Sequence, residues 1–146
     1  MSIGWFGVKI TPNDRLYSEI IRWGKSRCER CDKVRKLQCA HIMGRGAWST
    51  RFMLMPVRNA IALCFTCHHW FDHHKMHDLI TEPTLRVFKS NQESFTFLVK
   101  KLGYTWEQLS LLLILSHKPG KRSAFMDELT KRELMKELAR LRNGRN

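Results

Sequence analysis

Two Cys-x-x-Cys pairs, "CERC" at Cys28 and Cys31 and "CFTC" at Cys64 and Cys67, constrain this chain more than anything else in it. Two thiols at this spacing leave one tight turn together. Two such turns supply the four tetrahedral ligands that Zn²⁺ favours, with little backbone strain. If one ion holds all four sulfurs, the 32 residues between the pairs must leave the site and return to it. An ordinary zinc ribbon leaves roughly 15–20 residues there, so a structural unit is inserted between the knuckles. The bland alternative is two chance pairs of small buried thiols. A disulfide framework is not expected. The cysteines number five, and the opening "MSIGWFGVKITPND" lacks the basic region, apolar core and cleavage site of an export signal. Cys39 is left over, and a buried apolar role suits it better than that of a fifth ligand.

The elements around the knuckles are readable from caps and periodicity. "TPNDRLYSEIIRW" predicts a helix with Thr11 at the N-cap, Pro12 at N1 and Asp14 in the first turn, stopped by Gly24. Leu16, Ile20 and Trp23 recur on its core face. Between Lys36 and Cys64, short apolar runs broken by Gly44, Gly46 and Pro56 predict two short strands and a loop. A helix can start at the second thiol pair. "SNQESFTFLVKKLG" predicts a helix from Ser90 or Asn91 to a stop at Gly103, and "TWEQ" has the capping-box spacing for the apolar helix that follows. "HKPGKRS" marks the best boundary, dividing residues 1–118 from a basic amphipathic helix within 119–146 that carries Leu134, Leu138 and Leu141 on one stripe. That stripe suits either packing within the chain or a homodimer.

The charge narrows the partners. Lys and Arg total 26 against 13 Asp and Glu, a net +13 that points first to nucleic acid and only second to an anionic membrane surface. No run of about 18 apolar residues is present to span a bilayer. Five of the seven histidines fall between His68 and His77, and Cys64, Cys67 and His68 form a Cys-x-x-Cys-His run. That run is shared by zinc knuckles and c-type haem attachment sites. The haem reading leaves Cys28 and Cys31 unexplained and needs export, and a colourless protein without a Soret band would eliminate it.

With "QCAHIMGRG", "STRFMLMPVRNA" and "LCFTCHHWFDHH" in that order between and across the knuckles, the chain resembles the HNH (His-Me finger) endonucleases, particularly phage recombination nucleases of the NinG type. The similarity spans roughly residues 11 to 75, and more loosely extends to about 110. It implies an α+β chain: a small ββα-metal core at about residues 28–77, stapled by a four-cysteine zinc knuckle and surrounded by helices. It also implies that His41 is the general base on the first strand and that Asn59 fixes strand geometry in the loop before the helix. His68 would bind a catalytic divalent ion, with Mg²⁺ or Mn²⁺ expected.

The parts suit phosphodiester hydrolysis, which needs a deprotonated water, a centre to neutralise phosphate charge and stabilisation of the departing oxygen. A neutral imidazole titrates near the working pH. Residues four apart share a helix face, so His68 with Asp72, or His69 with His73, can chelate one ion. His68 is the motif position, which favours Asp72 as second ligand and leaves His73 as the alternative. Arg45, Arg51 and Arg58 surround the expected site and are candidates for phosphate contact.

One departure stands out. Where many HNH sequences place an ion-binding Asp or His before the base, this chain has Ala40, a small residue that NinG-like sequences also tend to carry there. The resemblance further implies DNA as partner, with branched or recombination DNA as substrate, products ending in 5′-phosphate and 3′-hydroxyl, and a phage protein working in the host cytoplasm. The alternative from another class is a non-catalytic, zinc-stabilised nucleic-acid-binding protein. It explains the charge and the thiols but gives His41 and the His68–Asp72 pair no task.

Overall fold

The computed structural model describes residues 10–43, 53–74, 93–116 and 123–144. Within them the chain is α+β, with five helices and a two-stranded antiparallel sheet. In order these are α1 (Pro12–Arg22), β1 (Leu37–His41), β2 (Ala60–Cys64), α2 (Phe65–His74), α3 (Glu93–Lys100), α4 (Trp106–Ser116) and α5 (Ala124–Asn143). None of the described helices is long and apolar enough to cross a membrane.

The helix ends at Thr11, Gly24, Gly103 and Thr105 form where the sequence predicts, while the α3 start expected at Ser90 or Asn91 lies outside the described residues. Thr11 and Asp14 make a reciprocal capping box at the start of α1, and Gly24 follows its end with φ +68, a conformation glycine adopts without steric cost. The Thr105 N–H donates to Gln108 Oε1 at 3.0 Å while the Gln108 N–H donates to Thr105 Oγ1 at 3.1 Å, the expected box at α4. Gly103, at φ +79, closes the turn after α3.

β1 and β2 pair from Leu37↔Cys64 to His41↔Ala60. All five residues of β2 are buried, as expected for a strand covered on both faces, and its sequence is a continuous apolar run rather than an alternation. Both α1 and α2 pack against the two strands. Side chains alternate along a strand, so Leu37, Cys39 and His41 point to one face and Gln38 and Ala40 to the other. Tyr17 of α1 lies over the first face, its ring 6.2 Å from that of His41. His68 of α2 bonds to Gln38 on the second. The hairpin is therefore held between α1 and α2.

The buried face of α1 differs from the one periodicity predicts. Tyr17 and Ile21 are more deeply buried than Leu16 and Trp23, which are only partly covered. The reason is a second neighbour. α5 runs alongside α1 in the same direction, with Asn13 Nδ2 donating to the Asp127 carbonyl at 2.9 Å near the starts and Arg142 3.3 Å from Glu19 near the ends. Leu134 and Leu138 of α5 are buried and Leu141 packs against the core. The leucine stripe thus packs within the chain. The boundary expected around residues 117–122 lies outside the described residues.

Candidate functional site

The knuckles converge. Cys28, Cys31, Cys64 and Cys67 place their sulfurs within 4.8 Å of one another, and the Cys31 and Cys64 sulfurs are 3.9 Å apart. Four Zn–S bonds of about 2.3 Å in a tetrahedron put neighbouring sulfurs about 3.8 Å apart. The donor set and spacing fit a structural zinc ion. The thiols respond to this crowding in opposite ways. Burial opposes ionisation of Cys28, yet hydrogen bonds from the backbone of Cys31, Cys64 and Arg30 outweigh it and draw its pKa down to about 7. Burial and the neighbouring sulfurs push the Cys67 thiol up to about 12, against the pull of Arg30. Four adjacent thiols cannot all ionise until a cation compensates them, and a coordinating metal deprotonates its thiols outright.

The residues inside the first pair tie the cluster to the hairpin and to α2. Ala62 directs its N–H and carbonyl away from β1. The N–H donates to Glu29 Oε2 at 2.6 Å, and the carbonyl accepts from the Glu29 N–H at 3.0 Å. Arg30 lies with its guanidinium 3.7 Å over the Trp70 ring while Nη1 donates to Cys67 Sγ at 3.5 Å. Lys101, at the end of α3, pairs with Asp32 at 2.6 Å and donates to the Arg30 carbonyl. Nothing in the Cys-x-x-Cys spacing specifies what stands at Glu29 and Arg30, so sequence reasoning missed both.

At the other end of the hairpin sits Asn59, only 2% exposed. Its carbonyl accepts from the Ile42 N–H at 2.8 Å, continuing the ladder one pair beyond His41↔Ala60. Its side chain then adds a further pair. Oδ1 accepts from the Met43 N–H at 2.8 Å and Nδ2 donates to the Met43 carbonyl at 3.2 Å. An asparagine amide carries one acceptor and two donors, so it can stand in for a peptide unit of the missing strand. The Asn59 N–H in turn donates to the Tyr17 hydroxyl at 3.2 Å. Asn59, expected in the loop before the helix, thus stands immediately before β2, where its side chain braces the end of the hairpin and Tyr17 supports it.

The expected site residues divide between two faces. His41 ends β1, half-buried on the α1 side. His68 lies in the first turns of α2, with Nδ1 2.7 Å from Gln38 Oε1 and Nε2 3.3 Å from Asp72 Oδ2. The Gln38 oxygen only accepts, so the Nδ1 proton belongs to that bond and Nε2 is left to face the carboxylate. The sequence reading has an ion on α2 facing His41. The strand alternation instead gives His41 and Gln38, with its partner His68, to opposite faces of β1, because they are three residues apart. His73 is exposed and its ring stands edge-on to His74, 5.0 Å away, off the His68–Asp72 line. His74 bonds to the Trp70 carbonyl at 2.9 Å and faces Glu93 at 3.6 Å, joining α2 to α3. Arg58 is exposed next to Asn59, its carbonyl accepting from the Tyr104 hydroxyl at 2.8 Å. Arg45, Arg51 and His77 lie outside the described residues. Among the described residues the four cysteines are the one group of three or more His, Cys, Asp or Glu side chains close enough to share an ion.

Comparison with known proteins leaves the reading on this geometry alone, since no family model, no curated protein and no solved structure matches the chain.

Proposed function

We propose that the chain is a metal-dependent DNA endonuclease of the HNH type, hydrolysing phosphodiester bonds in phage recombination or DNA processing. The observation that carries this reading is the clamp at Asn59. It joins the end of β1, where His41 stands, to the start of β2, which leads through Cys64 directly into the helix bearing His68. A strand, a strand and a helix in that order, carrying His, Asn and His in turn, follow the order of the resemblance and support the reading.

In this reading His41 takes the proton from the attacking water, and Arg58 holds a neighbouring phosphate. A divalent ion, when bound, neutralises charge on the scissile phosphate and on the departing oxygen. His68 Nε2 and Asp72 Oδ2 would hold it. Adjacent ligands of an octahedral ion with bonds near 2.1 Å stand about 3.0 Å apart, and the observed 3.3 Å is close to that. Gln38 keeps the imidazole in the tautomer that leaves Nε2 available. Ala40 offers no ligand, so any further ligands to such an ion would have to be water. The net charge of +13 brings the protein onto DNA through a salt-sensitive, largely non-specific attraction.

The test is cleavage of supercoiled plasmid and a synthetic four-way junction by zinc-loaded protein, with Mg²⁺, Mn²⁺ or neither. Metal-dependent cutting that vanishes in His41→Ala while DNA binding persists is the expected result. No cutting by the folded native protein on either substrate would reject the reading.

A second reading, a zinc-stabilised nucleic-acid-binding module without catalysis, is favoured by one observation. His41 faces Tyr17 and α1, on the other side of β1 from the His68–Asp72 pair. Under it, His41→Ala changes neither binding nor a cleavage activity that is absent from the start.

A further inference from the structure

The thiol turn that opens α2 points two residues outward because its cysteines point inward. One of them is Phe65, 64% exposed at the head of a helix that buries Cys67 and Phe71 instead. Extending the β1–β2 register by one step sets Lys36 across from it. Arg35, Lys36, Cys64, Phe65 and Thr66 line one shallow groove of about 340 Å³. Residues 32–36 are all exposed, among them Lys33, Arg35 and Lys36. The nearby acids are already engaged, Asp32 with Lys101 at 2.6 Å and Glu29 with Lys25 at 3.0 Å. Among the described residues no carboxylate pairs with Lys33, Arg35 or Lys36. The groove therefore joins an open aromatic face to uncompensated positive charge. A surface needs both to hold an unpaired nucleotide, whose base stacks on the ring and whose phosphates bond to the cations. Duplex DNA keeps its bases stacked on each other and has no use for the ring.

We propose that this groove binds a single-stranded stretch of DNA, with a base stacked on Phe65 and the flanking phosphates on Arg35 and Lys36. The identity of the polymer rests on the endonuclease reading. What the groove adds is the substrate class, DNA in which an unpaired segment adjoins duplex. Lys36 immediately precedes β1 and lies five residues from His41 at its other end, roughly 17 Å at 3.3–3.4 Å per extended residue, so the groove sits at the opposite end of the hairpin from His41.

The experiment is fluorescence anisotropy of a labelled oligothymidylate and of a blunt duplex, with zinc-loaded protein and no added Mg²⁺ or Mn²⁺. Binding is then read whether or not the chain cuts DNA, so failure here and failure of the nuclease reading are separate results. Phe65→Leu keeps the bulk and removes the π face. It is expected to weaken oligothymidylate binding about tenfold and duplex binding less than twofold, while Phe65→Trp keeps both. Arg35→Gln with Lys36→Gln is expected to lower the slope of log affinity against log salt by about 1.4 for the single strand, two phosphates at ~0.7 each. This pair lies outside both thiol turns and decides the matter if Phe65→Leu lowers the zinc content. Native oligothymidylate affinity in Phe65→Leu, equal losses on both DNAs, or an unchanged salt slope in the arginine–lysine pair would overturn the proposal. So would a native dimer, seen by light scattering, that Phe65→Leu turns into monomer, since a second copy would then own the patch.

Discussion

The two ends of one hairpin are closed by different chemistry. At the Leu37↔Cys64 end, four thiols gather within 4.8 Å. At the His41↔Ala60 end, a single asparagine extends the ladder with its own amide. The first gathers four thiols whose donor set and spacing fit a structural zinc ion, and which cannot all ionise without a cation. The second is complete within the chain and depends only on the hydrogen bonds of one buried side chain. The difference teaches that the two ends fail under different conditions, and that the residues expected to do chemistry are divided between them: His41 stands at the amide end, whereas His68 follows Cys67 at the thiol end.

The largest effect is expected at the thiol end. Structural zinc supplies roughly 10 kcal/mol or more of folding energy in small zinc domains. Cys31→Ser, or removal of the ion with a strong chelator, is predicted to abolish stoichiometric zinc by elemental analysis and the cooperative melt by circular dichroism. A sharp melt in zinc-free protein would erase the contrast between the ends. The amide end comes next. Asn59→Ala leaves the Met43 N–H and carbonyl without their partners, at about 1–3 kcal/mol for a buried group left unmade. A loss of about 3 kcal/mol in urea unfolding, with zinc content kept, is the expected result, and a loss of zinc as well would show that the ends are not independent.

A smaller effect sharpens the comparison between the faces. Removing the partner that orients a ligating histidine costs about 10–100-fold in metal affinity. Gln38→Ala is therefore expected to raise the Mg²⁺ or Mn²⁺ needed for half-maximal cleavage about tenfold without changing the melt. An unchanged requirement would detach His68 from any ion. The smallest effect is at Tyr17, whose hydroxyl receives the Asn59 N–H. Tyr17→Phe is expected to cost about 1 kcal/mol at neutral pH. Burial raises the pKa of Tyr17 and likewise of Tyr104, so the folded chain holds these protons more tightly than the unfolded one. That contribution is complete below the ordinary tyrosine range near pH 10 and is lost as pH rises through the folded values. Tyr17→Phe should thus flatten the decline in stability above about pH 10, measured by urea unfolding across alkaline buffers.

The thiol end was legible in the sequence because metal geometry is local: Cys28, Cys31, Cys64 and Cys67 announce a shared site by spacing alone. The caps at Thr11 and Thr105 were legible for the same reason, since each is settled within three residues. What depended on partners was not. The predicted face of α1 centred on Leu16, Ile20 and Trp23, whereas Tyr17 and Ile21 are the deepest, because the hairpin and α5 both cover the helix. The leucine stripe of α5 suited a second copy as well as α1, and nothing in its spacing separates the two. The split of His41 from His68 was invisible because it rests on where β1 begins; one residue of register exchanges the faces. Gln38 carries no motif at all, and its role appears only when α2 lies across the strand.

The central claim is that His41 is the base of a DNA-cutting site, and chemical rescue tests it most directly. Zinc-loaded His41→Gly is incubated with supercoiled plasmid and Mg²⁺ or Mn²⁺, with and without free imidazole, beside native protein. Nicking by the native chain, its loss in the variant and its partial return with imidazole are predicted. A variant that cuts like the native protein, or a native protein that never cuts, would contradict the account.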